Sequence, residues 1–360
     1  MFELENYEIF KIVNILGFLL GLTFGVVAQK NQFCFSGSIK DYMLTKSTKR
    51  GASVIMAILV AIASTYAVSS YFSIDLTQSV YYKDNINYFS IIFGGALFGA
   101  GMMLADGCSS RHLVKFAQGD PYSLIVLLFI AIFAFATAKG ALSPLLEFFV
   151  DNQTLISISS KIGNSQIPIL IAVLPLLIYL WLLTKSFKRI LTLKDGFIIG
   201  LIISAGWYVT GVIGEQSIER EINLASFAFV YPSAQTLEFF TSYNVVDLTF
   251  PISVILGILI GAFFMSKLNK KYSFGCTSNL QRSKIKYNMI GGAMMGIGGV
   301  LAIGCTVGQG LTGVSTLALA SIIAINSILI SGLITAKILA KKDQLPMCFI
   351  FEWEEESKEK

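Results

Sequence analysis

Long runs of apolar residues, separated by short polar segments, dominate the chain. A helix needs about 20 mainly apolar residues to cross the hydrocarbon core of a bilayer. Runs of about that length occur nine times, at 12–29, 52–72, 89–106, 122–142, 167–184, 196–213, 248–266, 288–304 and 314–336. The pattern predicts an all-α, polytopic integral membrane protein with nine transmembrane helices.

Composition supports this class, since 54% of the 360 residues are hydrophobic and 14% are charged. Soluble domains average about 25% charged residues. The spans and their connections leave no length for a separate soluble enzyme, so we predict a single transmembrane domain over residues 1–360. The chain begins with Glu3 and Glu5 and has one base, Lys11, before the first apolar run. This is unlike the basic start of a signal peptide, so we expect the first helix to be retained.

Charged residues between the spans predict their orientation. Segments 30–51, 185–195 and 267–287 are rich in Lys and Arg, whereas 214–247 carries mainly Glu and Asp. Lys and Arg near span ends stay on the cytoplasmic side. The pattern predicts a membrane protein with its N-terminus outside and a short cytoplasmic tail at 341–360. The net charge of +5 is thus explained by the lipid bilayer and does not indicate a nucleic-acid partner.

An internal repeat relates the two halves of the chain. GGALFGAGMMLADGC at 94–108 aligns without a gap on GGAMMGIGGVLAIGC at 291–305, with nine identities in fifteen positions. In the predicted topology the copies cross the membrane in opposite directions, which is typical of transporters built as inverted repeats. We therefore divide the domain into halves of roughly 12–150 and 167–340. Close helix packing explains the spaced glycines, but it does not explain why both copies end in Gly-Cys.

Three further segments, 33–44, 107–119 and 304–313, are too polar or too short to span a membrane. They are also too rich in glycine and apolar residues to be open loops. Backbone that leaves a helix at membrane depth must be buried in protein or line a wet cavity. We predict re-entrant turns followed by short half-helices, whose N-termini favour an anion through free amides and the helix dipole.

Three of the five cysteines, Cys34, Cys108 and Cys305, lie in these segments, and the last two are equivalent in the repeat. A thiol is a weak donor and a soft acceptor, so this set indicates a small anion that carries a polarisable sulfur. Cys276 and Cys348 are interpreted as residues without a role in binding. With one histidine and no C-x-x-C motif, the sequence predicts neither a metal site nor a cofactor.

Polar residues next to these cysteines complete the predicted site. Ser109 and Thr306 follow Cys108 and Cys305 directly and are candidates to cap the half-helices or to bind the anion. Arg111 is a further binding candidate and the expected ion-pair partner of Asp106, because an acid at membrane depth is normally paired or functional. Gln309 either donates an amide hydrogen bond to the anion or caps its own loop. We assign no catalytic residue.

At these residues the chain resembles the YeeE/YedE family of sulfur-compound transporters. The matching pieces are VVAQKNQFCFSGSIKDYML, GGALFGAGMMLADGCSSRHLVKFAQGD and GGAMMGIGGVLAIGCTVGQGLTGVSTLALAS. The resemblance implies an all-helical inner-membrane protein that takes up thiosulfate along a path containing Cys34, Cys108 and Cys305. It also implies a small cytosolic sulfur carrier of the TusA type as a partner. One branch of the family is linked to selenium metabolism.

Three functions remain open at this level. The first is a permease that passes thiosulfate between thiols and half-helix N-termini without covalent chemistry, through weak sequential sites. The second is a membrane sulfurtransferase, in which a cysteine thiolate takes the sulfane sulfur and carries it inward as a persulfide. The third is a transporter of a selenium compound or a soft metal. The first hypothesis accounts best for anion-favouring helix ends combined with soft sulfur donors.

Overall fold

The computed structural model describes residues 2–82, 87–151, 169–217, 222–242, 247–272 and 282–342, and within them it contains helices but no strand. Cys276, Cys348 and nearly all of the predicted tail lie outside the described residues. The helices are α1 (Phe2–Asn31), α2 (Phe35–Thr45), α3 (Lys49–Phe72), α4 (Tyr88–Leu104), α5 (Ser109–Ala117), α6 (Pro121–Lys139), α7 (Ser143–Asp151), α8 (Ile169–Thr184), α9 (Phe187–Leu191), α10 (Lys194–Tyr208), α11 (Val230–Thr241), α12 (Phe250–Leu268), α13 (Arg282–Leu301) and α14 (Leu319–Lys341).

Seven helical stretches of the described chain are long and apolar enough to cross a membrane. They correspond to seven of the nine predicted spans, which confirms an all-α polytopic membrane protein. The predicted spans at 167–184 and 288–304 fall on α8, a 16-residue helix, and on α13, a 20-residue helix that begins with basic residues. The exact number of crossings therefore stays a prediction.

The two copies of the repeat pack against each other as antiparallel helices. A Cβ placed on Gly94 of α4 would lie 2.7 Å from the backbone oxygen of Gly298 in α13, and one placed on Gly101 would lie 2.7 Å from that of Gly291. Gly94 is the repeat equivalent of Gly291, and Gly101 is the equivalent of Gly298. The contacts are therefore reciprocal, as an approximate two-fold axis between α4 and α13 requires.

The same relation extends to the outer helices. Gly21 of α1 lies against α12, and Gly200 of α10 lies against α3; likewise Gly99 of α4 lies against α14 and Gly296 of α13 against α6. In each case the two glycines occupy matching positions of the halves, since GFLLGL at 17–22 matches GFIIGL at 196–201. Backbones approach closely wherever no side chain separates them. The glycines thus determine where the helices meet.

The three predicted re-entrant segments form short helices after buried turns. Segment 33–44 contains α2, and segment 107–119 contains α5. Segment 304–313 begins with a turn at 304–305 and continues into helical residues 306–315, which include the π-helical turn Gly308–Gly313. Nearly every residue of α5 is buried, as is every residue of the π-helical turn. Protein therefore surrounds these half-helices, as non-helical backbone at membrane depth requires.

Candidate functional site

Each of the three cysteines follows the same kind of backbone turn. The residue two positions before the cysteine is left-handed in each case, although none is glycine: Gln32 (φ 56°), Asp106 (φ 62°) and Ile303 (φ 57°). This conformation is disfavoured for side chains with a Cβ, most of all for a β-branched one. Because it recurs in three turns, the packing around the turns must hold it in place.

The turns of the two repeat copies also share their hydrogen bonds. Gly107 N–H donates to Met102 O at 3.0 Å, and Gly304 N–H donates to Gly299 O at 2.8 Å. These bonds satisfy carbonyl groups at the ends of α4 and α13, as in a helix C-cap. The chain then reverses within a few residues and places the cysteine at the start of the next helix.

The three thiols are buried at helix N-termini, but they differ in their bonding. Cys34 Sγ accepts the Gly37 N–H at 3.3 Å, and Cys305 Sγ accepts the Gly308 N–H at 3.3 Å. The N-cap residue Cys108 forms no such bond to an amide, and its sulfur lies 3.3 Å from Ser110 Oγ. The first turn of α5 therefore keeps amides that its own thiol does not cap.

These turns come together at the Cys108 thiol. Arg111, three residues after Cys108, donates through Nη2 to Gln32 in the turn before Cys34, and Cys34 and Thr306 are both neighbours of Cys108. Thr306 in turn follows Cys305, whose side chain is fully buried. The structure thus brings together Cys108 and Thr306, residues of different repeat halves that are almost two hundred residues apart in sequence.

Three polar groups at this junction lack a well-formed hydrogen bond in the described part of the chain. They are Ser109 Oγ, Thr306 Oγ1 and Arg111 Nη1. Ser109 and Thr306 are both 0% exposed and Arg111 is 6% exposed. Leaving such a buried group without a partner costs about 1–3 kcal/mol. Unpartnered donors at a buried helix start are what an anion-binding site requires.

Gln309 differs from Ser109, Thr306 and Arg111, because its side-chain amide donates a hydrogen bond to its own turn. Its Nε2 donates to Ala302 O at 2.6 Å, and its backbone N–H donates to Cys305 O at 2.7 Å. Its Oε1 has no hydrogen-bond partner among the described residues, and an oxygen acceptor does not attract an anion. Of the two sequence-based interpretations, the geometry favours the loop cap.

The expected ion pair between Asp106 and Arg111 is wrong. Asp106 pairs with Lys40 of α2 at 2.6 Å and with Lys115 of α5 at 2.8 Å, while Arg111 Nη2 donates to Gln32 Oε1. The left-handed turn directs the Asp106 carboxylate along α5 toward its last turn, where Lys115 also donates to the Asp106 backbone oxygen at 2.7 Å. No pattern in the sequence indicates that Lys40 pairs with Asp106. The pair forms because tertiary packing brings α2 next to this turn.

The turns of Cys34 and Cys108 carry an excess of buried positive charge. Arg50 pairs with Asp41 at 3.2 Å, and both Arg50 and Arg111 act electrostatically on Cys34. With the Lys40, Lys115 and Asp106 cluster this makes four bases against two acids, a net charge of +2. The Cys305 turn differs, because residues 306–315 carry no charge.

Neutral aromatic residues surround the Cys305 turn. Tyr81 Oη donates to Gly308 O at 2.8 Å, and Trp207 Nε1 donates to Ser315 Oγ at 3.1 Å. Burial raises the pKa of Tyr81, so its hydroxyl remains a donor at any physiological pH. The two halves of the site are therefore electrostatically unlike, although their backbones match.

A fourth, related turn was missed in the sequence, although the residue two positions before Ala228 is not left-handed. Phe33-Cys34-Phe35 leads into α2, which begins at Phe35, and Phe227-Ala228-Phe229 precedes α11. α2 packs against α3 and α14, and α11 packs against their repeat counterparts, α12 and α6. Ala228 lies 3.5 Å from the position of a Cβ on Gly308, so it is placed beside the Cys305 turn as Cys34 is beside Cys108. The Phe-x-Phe pattern is the signal that marks this turn.

Comparison with known proteins gives the relatives of the chain. The thiosulfate transporter TsuA of Spirochaeta thermophila is 28% identical over 330 residues, which cover 86% of this chain and 93% of that protein. The thiosulfate transporter TsuA of Escherichia coli K12 is 24% identical over 322 residues, 82% and 86% of the two chains. The probable transporter YedE of Escherichia coli K12 matches over 105 residues with 26% identity, covering 29% of this chain and 24% of YedE.

The sequence profile of the Sulphur transport family matches residues 30–335. That stretch contains Cys34, Cys108 and Cys305 together with both repeat copies. The resemblance to the YeeE/YedE transporters is thereby confirmed, and the multi-pass helices agree with it. The chain belongs to the Sulphur transport family.

Proposed function

We propose that this protein is an inner-membrane permease that takes up thiosulfate and passes the anion between thiols and half-helix N-termini without covalent chemistry. The observation that carries the proposal is the junction at Cys108, where the turns of Cys34 and Cys108 meet three buried donors, Ser109 Oγ, Thr306 Oγ1 and Arg111 Nη1, that lack a hydrogen-bond partner among the described residues. The relatives named thiosulfate transporters support thiosulfate as the substrate.

Charge supports a divalent anion in particular. The net charge of +2 around Cys34 and Cys108 equals the charge of thiosulfate with opposite sign. Opposite charges attract more strongly in a buried site than in water, so the site compensates the lost hydration of the dianion. The same excess of bases opposes a soft-metal cation. It does not distinguish thiosulfate from a selenium-containing anion of equal charge, which competition between the two anions for uptake would test.

The proposed path runs from Cys305 through Cys108 to Cys34. The positive-inside rule places the basic segment 30–51, which contains α2, on the cytoplasmic side, with the N-terminus outside and the C-terminus inside. The neutral Cys305 turn is then the outer station, and the charged turns lie deeper. Each station offers a thiol and backbone amides, which bind weakly enough for the anion to move on.

Such a path needs a driving force. Moving a charge against an inside-negative membrane potential costs about 2.3 kcal/mol per elementary charge for each 100 mV. A dianion therefore meets twice that cost. A concentration gradient or a coupled cation must provide it, and a cytosolic reaction that consumes thiosulfate would maintain the gradient. On the family resemblance we propose a TusA-like sulfur carrier as the cytosolic partner.

The second candidate function is a membrane sulfurtransferase, and it is favoured by the neighbouring thiols of Cys34 and Cys108. The two candidates differ in what reaches the inside. Thiosulfate labelled separately in its two sulfur positions is added to proteoliposomes that contain the purified protein. A permease delivers both labels in equal amount, whereas a sulfurtransferase delivers the sulfane label and leaves sulfite outside. Delivery of one label would overturn the permease.

A further inference from the structure

His112, the single histidine of the chain, lies inside the protein beside the Cys108 turn. It is 2% exposed, and its Nε2 has no hydrogen-bond partner among the described residues. A Cβ placed on Gly107 would lie 3.2 Å from that nitrogen. The free nitrogen therefore faces the residue that precedes Cys108. None of the steps proposed above uses this side chain.

The other ring nitrogen is part of a hydrogen-bond chain that leads to the start of α6. His112 Nδ1 lies 3.1 Å from Ser123 Oγ, and Ser123 Oγ donates to Asp120 Oδ2 at 2.7 Å. The serine hydroxyl has one proton, and Asp120 receives it. Ser123 must therefore accept from Nδ1, so Nδ1 carries a proton. In the neutral ring Nε2 is then a bare acceptor, open to a second proton.

The Asp120 carboxylate is also the N-cap of α6, where it accepts the Tyr122 N–H at 3.1 Å. A negative charge on the far side of Ser123 favours a positively charged ring, because a carboxylate that orients a histidine also stabilises the imidazolium.

The charged groups around His112 determine whether its ring binds that second proton. Burial of the ring is the largest effect opposing a positive charge, Lys115, Lys40 and Arg111 oppose it as well, and Asp106 acts in its favour. α5 also packs against α1 and α12, whose bases near this end, Lys30 and Lys267, are exposed and screened by water. Lys115, Lys40 and Arg111 outnumber the acid and therefore oppose a second proton on the ring. A dianion at Cys108 cancels this excess of two positive charges and so favours the positive ring.

We propose that His112 binds one proton when the anion occupies the Cys108 station, so that thiosulfate uptake is coupled to proton uptake. The proposal rests on the proposed function and supplies its coupled cation. The proton comes from external water and adds to the Nε2 lone pair, and no bond to sulfur forms or breaks. When the anion leaves for the cytoplasm, the proton returns to water on that side. The charge moved inward per cycle falls from −2 to −1.

The test uses proteoliposomes of the full chain, with the membrane potential held at zero by potassium and valinomycin. Radiolabelled thiosulfate and a pH-sensitive dye inside the vesicles measure the two fluxes together. The wild type should take up one proton per thiosulfate, and each pH unit of inward gradient should raise the accumulation ratio about tenfold. Thiosulfate uptake without proton uptake would overturn this proposal alone. Absence of any thiosulfate uptake would overturn the permease and the coupling with it.

His112→Gln should take up thiosulfate without protons, and a pH gradient should no longer drive accumulation. Unchanged proton stoichiometry in this variant would refute the role of His112.

Ser123→Ala keeps the histidine but removes the acceptor of Nδ1–H, so about a tenfold or higher proton concentration should be needed for half-maximal uptake. Ser204→Ala, which removes a buried serine hydroxyl elsewhere that donates to Leu201 O at 2.9 Å, is the matched control and should keep the wild-type pH dependence. Ser123→Ala also tests the proposal if His112→Gln fails to fold, and a wild-type pH profile in Ser123→Ala would contradict it.

Discussion

Replacing Thr306 by valine should change thiosulfate binding at the Cys108 station and protein stability in opposite directions. Thr306 is 0% exposed, and its hydroxyl has no well-formed hydrogen bond within the described chain. Valine has nearly the same shape and lacks the hydroxyl. A group that is buried without a partner costs about 1–3 kcal/mol of stability. Thr306→Val should therefore be as stable as the wild type, or more stable by about 1 kcal/mol.

Anion binding should change in the opposite direction. A hydrogen bond from a hydroxyl to a charged group contributes about 1.5–3 kcal/mol, and its loss corresponds to roughly ten- to hundredfold weaker binding. We expect Thr306→Val to bind thiosulfate that much more weakly, with a similar fall in uptake at low concentration. A variant that is more stable and yet binds less is expected only if the hydroxyl serves a ligand.

Thr312→Val is the matched control, because Thr312 Oγ1 donates to Phe227 O at 2.7 Å. Its loss leaves a buried carbonyl without its partner and should lower stability by about 1–3 kcal/mol. Thermal unfolding of the purified proteins in detergent measures stability, and the rise in melting temperature with added thiosulfate measures binding. If Thr306→Val binds thiosulfate like the wild type, Thr306 is a packing residue, and the proposed binding of the anion between Cys108 and Thr306 is wrong.

Three further predictions concern other parts of the molecule. Cys305→Ser should keep more uptake than Cys305→Ala, by about three- to tenfold; equal inactivity, with sulfur added to a wild-type cysteine in mass spectra, would favour the sulfurtransferase. Gly298→Val should lower thermal stability by about 1–3 kcal/mol or more, since its Cβ would lie 2.6 Å from Gly94 O; wild-type stability would contradict the α4–α13 contact. A reporter fused after Lys286 should be cytoplasmic, and an external reading would refute the proposed orientation.

The sequence alone was enough to predict the membrane class and the position of the cysteines. Apolar runs identify spans because the cost of exposing polar backbone to lipid depends on length and composition, both of which are local properties. The repeat at 94–108 and 291–305 predicted an inverted-topology pair, and the structure adds that its two copies, α4 and α13, pack against each other through equivalent glycines. The half-helices after Cys34, Cys108 and Cys305 followed from polar, glycine-rich segments that lipid does not accept.

Tertiary structure decided which side chains meet. Asp106 was expected to pair with its near neighbour Arg111, but Lys40, 66 residues away in sequence, reaches it because α2 packs into the same buried region. Packing likewise places Ala228 beside the Cys305 turn and His112 beside Ser123, and neither contact follows from a local pattern. The physical reason is that local propensity and hydropathy act over neighbouring residues, whereas the free energy of a buried ion pair or hydrogen bond depends on whichever groups long-range packing brings within a few ångströms.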